Sequence, residues 1–191
     1  MTTNATAYRP TFEASLSWGQ VGESRIAKWL KGRGWSVLPV YEKEIDNGKG
    51  PRLFIPGGEL VAPDMLAYNT TKTPAPVRWI EAKTKSRFSW YGIKHRWVTG
   101  IDLRHYEDYC KIDDASPFPV WVMFLHDNPD TWPHDVERWG APPTCPTGLF
   151  GEMLSVLRKT ESHRSDRHGK SGMVYWADTS LRRLAPASEV K

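Results

Sequence analysis

Residues 63–83 read PDMLAYNTTKTPAPVRWIEAK, and how this stretch is folded decides the architecture. Two short apolar runs, Asp64–Tyr68 and Val77–Lys83, flank a linker, Asn69–Pro76, that is rich in Thr and Pro. This pattern predicts two strands joined as a hairpin. Side chains alternate across a strand, so Val77, Trp79, Glu81 and Lys83 share one face. Glu81 and Lys83 then stand about 6.6 Å apart along the backbone and point the same way. A hairpin centred near Lys72-Thr73 sets Asp64 opposite Glu81, with their Cβ atoms about 4.5–5.5 Å apart. Two carboxylates that close repel each other unless a cation lies between them. Mg2+ suits such a pair, because it takes one or two protein carboxylates and keeps several waters. Beside that ion, Lys83 would orient or deprotonate a water, or stabilise charge developing on a phosphate.

The flanking sequence supplies the rest of a domain. A helix is expected over about Thr11–Lys31, ended by Gly32 and Gly34, with Phe12, Leu16, Gly19, Ile26, Ala27 and Leu30 as its apolar stripe. Glu23 falls on that stripe, where a carboxylate is costly unless it is paired, metal-bound or at the mouth of a cleft. Strands are expected at Trp35–Tyr41 and Leu53–Ile55, with turns around Asn47-Gly48 and Pro56-Gly57-Gly58. Ile101–Lys111 reads as a helix with Asp102 at or near its N-cap. Val120–Leu125 reads as a strand buried on both faces. Further expectations are a helix over Gly148–Thr160, a charged loop over Glu161–Lys170, a strand over Met173–Ala177 and a short helix over Ser180–Leu184. The order is αβββαβ, a mixed α/β (α+β) fold with one central sheet flanked by helices and a C-terminal helix-strand extension. Residues 1–10 read as a flexible arm, 11–185 as a single domain and 186–191 as a tail.

An acid two residues before a lysine is a weak signal alone, and the chain holds two: Glu81-Ala82-Lys83 and Glu189-Val190-Lys191. Only the first lies in a strand with an acid, Pro63-Asp64, one hairpin upstream. The series Gly22-Glu23, Pro63-Asp64 and Glu81-Ala82-Lys83 resembles the PD-(D/E)XK nuclease superfamily, over roughly Ser17–Leu125. That group includes restriction endonucleases and Holliday-junction resolvases. The resemblance implies a restriction-endonuclease-like core in which Asp64 and Glu81 bind Mg2+, with Mn2+ as a substitute. It implies that the Ala82 carbonyl completes the metal site, Lys83 is the catalytic lysine and Glu23 assists the metal. Many members carry Gln-x-x-x-Tyr in the next helix; here that place reads His105-Tyr106-Glu107-Asp108-Tyr109, so His105 stands for the Gln.

Composition agrees with a nucleic-acid partner without requiring one. The chain has 191 residues, 39% hydrophobic and 25% charged, with a net charge of +4. From Lys83 to Trp97 there are cations at Lys83, Lys85, Arg87, Lys94 and Arg96 and no acid, interleaved with Phe88, Trp90, Tyr91 and Trp97. Such a mixture contacts phosphates and stacks on bases. Lys85, Arg87, Trp90, Tyr91, Lys94, Arg96 and His105 are therefore the expected DNA contacts. No apolar run is long enough to span a membrane, and Met1–Pro10 lacks the apolar core of a secretory signal. Cys110 and Cys145 form no metal or disulfide pattern, which fits a reducing cytoplasm. His126-Asp127 and His134-Asp135 are weaker metal candidates, and the loop holding His163, Arg164, Arg167, His168 and Lys170 is a weaker phosphate contact. The absence of a Gly-Lys-Ser/Thr phosphate loop argues against a nucleotide cofactor. The expected activity is Mg2+-dependent hydrolysis of phosphodiester bonds in DNA, endonucleolytic more than exonucleolytic, by a monomer or homodimer. The alternative is a non-catalytic nucleic-acid-binding or assembly protein on the same fold.

Overall fold

The computed structural model describes residues 12–40 and 51–191, with the backbone alone over 12–20. The N-terminal arm and the turn around Asn47-Gly48 lie outside the described residues. The chain enters as α1 (Phe12–Lys31), which turns away through Gly32 and Gly34 into β1 (Trp35–Pro39). A two-stranded hairpin follows, β2 (Arg52–Ile55) and β3 (Gly58–Val61), so Gly58 opens a strand that sequence patterning had ended there. Then come β4 (Met65–Asn69) and β5 (Val77–Lys85), the pair on which the fold was expected to turn. A second hairpin, β6 (Ser89–Tyr91) and β7 (Arg96–Asp102), occupies the cationic segment. It leads into α2 (Leu103–Ala115), capped by the Asp102 carboxylate accepting the Arg104 N–H at 3.1 Å. The helix therefore starts two residues later than expected, on the N-cap that was expected. β8 (Val120–His126) is buried along its whole length.

After β8 the structure departs from the expected helix-strand extension. A short helix, α3 (Pro133–Trp139), interrupts the loop, and β9 (Gly148–Met153) with the single turn α4 (Leu154–Leu157) replaces the expected helix over 148–160. The reason is that β9 lies between β8 and the late strand β12 (Arg182–Ala185) and buries both faces. Leu149 enters one core and Phe150 the other. A run apolar on both faces carries no period-2 signature to separate it from a helix. The expected charged loop 161–170 contains the edge strand β10 (Glu161–Ser165), paired with β11 (Met173–Ala177). Charges on an edge strand discourage pairing with a further chain. The expected helix 180–184 is β12, preceded by one 3-10 turn. Residues 186–191, read as a tail, are docked: Val190 is fully buried, and its carbonyl accepts from Arg25 Nε at 2.7 Å.

A six-stranded mixed sheet, ordered β1-β4-β5-β8-β9-β12, forms the spine; β5 and β8 are parallel and their neighbours antiparallel. With α1 on one face and α2 on the other, it gives the αβββαβ core that the sequence order implies. Alternation along β8 divides the interior in two. Trp121, Met123 and Leu125 join Ile26, Leu30 and Ile80 beneath α1, whereas Val122 and Phe124 join Tyr106, Tyr109 and Ile112 beneath α2. The second face is extended by a four-stranded sheet, β10-β11-β7-β6, whose Trp97, Ile101, Val174 and Trp176 point into the same core. Among the described residues, no helix is long and apolar enough to cross a membrane.

Candidate active site

The β4–β5 ladder pairs Tyr68 with Val77 and Met65 with Ile80. One further step along the same register sets Asp64 against Glu81, as hairpin symmetry predicted. Regular pairing ends there, and Asp64 continues it with its side chain: Oδ2 accepts the Ala82 N–H at 2.8 Å. Residues of odd number on β5 face α2, so Glu81 emerges beneath that helix, where its side chain is fully buried. Lys83 Nζ closes on Glu81 Oε1 as an ion pair, with the lysine side chain 29% exposed. Neither Glu81 oxygen makes an aligned hydrogen bond. The hydroxyl of Tyr109, itself buried, lies against the same carboxylate.

Glu23 reaches this centre because α1 crosses β5 at a glycine. A Cβ on Gly22 would stand 1.4 Å from Thr84 Oγ1, so no larger residue permits that approach. The next residue, Glu23, is half-buried and feels the charges of Asp64 and Lys83. Its expected position on the buried stripe is therefore a position at the site.

The electrostatics are those of crowded acids. Burial, and then the charge of Asp64, push the Glu81 carboxyl from 4.5 up to about 8 against the pull of Lys83. Burial and Asp64 likewise raise Glu23 from 4.5 to about 7. Burial alone would lower the Lys83 ammonium, but Glu81, Asp64 and Glu23 outweigh it and hold that pKa above the ordinary value. Three carboxylates around one ammonium leave two negative charges when all are ionised. The donor set thus fits a divalent cation: all-oxygen, doubly charged in excess, with a buried carboxylate whose oxygens lack aligned donors. Asp64 and Glu81 are a pair and not a larger cluster; among the described residues no three His, Cys, Asp or Glu side chains converge as metal ligands. A site of two carboxylates suffices for Mg2+, which retains its waters.

The remaining expected residues divide. His105 lies a helical turn before Tyr109, their ring centroids 6.2 Å apart. Its imidazole is pushed down by burial and then by Lys83, so it borders the site as a neutral ring. Lys85 continues the face of Glu81 and Lys83, half-buried and level with His126 on β8. Arg87 Nη1 donates to the Asp130 carbonyl at 2.6 Å. Lys94 and Arg96 are exposed at the turn of the β6–β7 hairpin. Trp90, by contrast, packs inward on Trp97 at 4.9 Å, with its indole nitrogen buried. Tyr91 stacks on His163 at 4.0 Å, and His163 in turn stacks on Tyr175 at 4.6 Å. The two rival motifs do not assemble as metal pairs. Asp127 is held by Arg25 at 2.9 Å, and His126 is buried against Phe88 at 3.9 Å. Burial and then Lys85 push His126 down to about 3. His134 pairs with its own neighbour Asp135.

Tyr109, which sequence reading named only as the last residue of the Gln-x-x-x-Tyr place, is the one that meets the Glu81 carboxylate from α2. The signal was present in its spacing, four residues after His105 on the helix that covers β5.

No protein-family model matches the sequence, and no curated protein matches it. Solved structures similar to the chain include a Holliday junction resolvase from Archaeoglobus fulgidus, an archaeal hyperthermophile. It is 10% identical, with 91% of this chain and 100% of that chain covered and a TM-score of 0.46. A nuclease from a fusselovirus is 16% identical, with 95% and 90% covered and a TM-score of 0.40.

Proposed function

We propose that the protein is a divalent-metal-dependent deoxyribonuclease whose active site is Asp64, Glu81, Lys83 and Glu23. The observation that carries this is the fully buried Glu81 carboxylate, without aligned donors, set beside Asp64 and a third acid. Lys83 balances only one of these three acids, and keeping the others together is costly unless a further cation or a function offsets it. Asp64, Glu81 and the Ala82 carbonyl would hold Mg2+ or Mn2+, which supplies Lewis-acid stabilisation of phosphoryl charge when bound. Lys83, kept protonated by its acidic neighbours, donates to the phosphoryl oxygens or orients the attacking water; it is not poised to accept a proton. Glu23, at about 7, has the proton affinity of a general base working near neutrality. Tyr109 fixes the Glu81 carboxylate from α2. Lys85, Arg87, Lys94 and Arg96 would carry the substrate backbone away from the site.

One observation favours the rival reading, a non-catalytic nucleic-acid-binding or assembly protein. Lys83 closes on Glu81 and Asp64 bonds to Ala82, as in an ordinary structural ion-pair cluster. Digestion separates the two. Linear duplex, nicked circle, single strand, branched junction and RNA are incubated with Mg2+ and wild type, Asp64→Asn or Lys83→Met. Metal-dependent cleavage of a DNA substrate by wild type, lost in both variants, is expected, and the products distinguish endonucleolytic from exonucleolytic attack. Cleavage by none of the proteins, or equally by all three, overturns the assignment.

A further inference from the structure

Trp132 and Trp139 stand in solvent, at 47% and 42% exposure, and belong to neither hydrophobic core. They bracket α3 as its N-cap and its last residue. Their seven-residue separation places them on one face, about 10 Å apart along the helix. Each indole has a guanidinium over it, Arg87 on Trp132 at 4.3 Å and Arg138 on Trp139 at 5.0 Å. Among the described residues neither guanidinium is in an ion pair. The β6–β7 turn is pressed against α3: a Cβ on Gly92 would lie 2.7 Å from the Trp139 ring. That approach brings exposed Ile93 next to α3, while Lys94 Nζ, one residue on, donates to the Ser162 carbonyl of β10 at 3.2 Å. Of the acids in the segment, Asp127 and Asp135 are engaged by Arg25 and His134, leaving Asp130 and Glu137.

Exposed indoles beside unpaired guanidiniums stack on nucleobases regardless of sequence, whereas phosphate contacts alone require only cations. Bases present their faces only where they are unpaired. We propose that α3 and the β6–β7 turn form a subsite for unpaired nucleotides, so that the preferred substrate carries a single-stranded segment beside the cleaved bond. This rests on the nuclease reading of Asp64, Glu81 and Lys83. The subsite lies within reach of them. Glu81 to Lys85 spans about 13 Å of strand, and Arg87 is two residues further, within about 20 Å. At about 3.4 Å per nucleotide, the subsite meets a strand up to roughly six nucleotides from the cleaved phosphate.

The test is binding of a labelled duplex bearing oligo(dT) overhangs of zero, four or eight nucleotides at either end, with Ca2+ replacing Mg2+ to suppress cleavage. For wild type, lengthening one overhang to eight nucleotides should tighten binding about tenfold. Trp132→Leu, which keeps an apolar side chain in an exposed position, should abolish that gain and leave blunt-duplex affinity unchanged; Trp132→Phe should keep most of it. Affinity independent of overhang length, or a Trp132→Leu defect equal on blunt and overhanging duplexes, overturns the proposal. DNA cleavage in Mg2+ without the overhang gain overturns the subsite alone. The gain without cleavage of any substrate keeps the subsite and overturns the nuclease reading.

Discussion

Replacing Glu81 by Gln removes a charge from the most buried position of the site and conserves its volume. The carboxyl titrates near 8 in the native state against 4.5 ordinarily, because burial and Asp64 disfavour its ionised form. Between those pH values the native state holds a proton that the unfolded chain has released. Stability therefore falls as pH rises through this window. Each pH unit is worth about 1.4 kcal/mol, so at pH 7 the wild type has lost about 3 kcal/mol relative to a permanently neutral side chain. Glutamine is that neutral side chain. Glu81→Gln should thus be more stable than wild type by less than about 1 kcal/mol at pH 5, about 3 at pH 7 and about 5 above pH 8. At pH 7 the gain corresponds to a rise in Tm of roughly 6–12 °C for a chain of this size. Urea denaturation in EDTA at pH 5, 7 and 9 measures it, and the same variant should have no Mg2+-dependent cleavage. A variant less stable than wild type at pH 7 and 9, or an advantage that does not grow with pH, would refute the reasoning.

Asp64 should behave differently, because its carboxylate also satisfies the Ala82 N–H. Asp64→Ala should lose about 1–3 kcal/mol in urea denaturation, whereas Asp64→Asn, which keeps an acceptor, should stay near wild type; cleavage should be lost in both. Gly22→Ala forces α1 off Thr84 and should cost about 1–3 kcal/mol or more, with cleavage reduced because Glu23 moves with the helix. Tyr109→Phe removes a hydroxyl that lowers the Glu81 pKa, so the acid limb of the pH–rate profile should move to higher pH. Trp90→Ala should lower the melting temperature without altering the salt dependence of DNA binding, since the ring packs on Trp97. Arg87→Ala and Lys94→Ala should each flatten the log–log salt slope by about 0.7–0.9.

Much of the centre was legible because local rules act there without competition. The β4–β5 register follows from alternation and a symmetric connection, so the facing of Asp64 and Glu81 needed no tertiary information. The helical stripe placed Glu23 on a buried face, and Asp102 announced the start of α2. What escaped was long-range. β9 reads as helix because Leu149 and Phe150 are both apolar, and only its insertion between β8 and β12 assigns them to opposite cores. β10 reads as loop because its charges lie at a sheet edge, with Glu161 engaged by Tyr106 from another element. The cationic segment after β5 reads as a grip on DNA, but three of its four aromatics turn inward: Phe88 and Trp97 are core, and Trp90 lies against that core. Among the described residues the exposed indoles, Trp132 and Trp139, stand instead at the two ends of α3, a helix too short to leave a periodic signature.

Asp64 and Glu81 are proposed to hold one divalent cation jointly. Electron paramagnetic resonance of free Mn2+, titrated with protein at pH 8 without nucleic acid, counts bound ions directly. Wild type and Lys83→Met should each remove one Mn2+ per chain from solution, and Mg2+ should displace it. Asp64→Asn and Glu81→Gln should remove none. Equal Mn2+ binding by wild type and both carboxylate variants, or no saturable binding by wild type, would contradict the account.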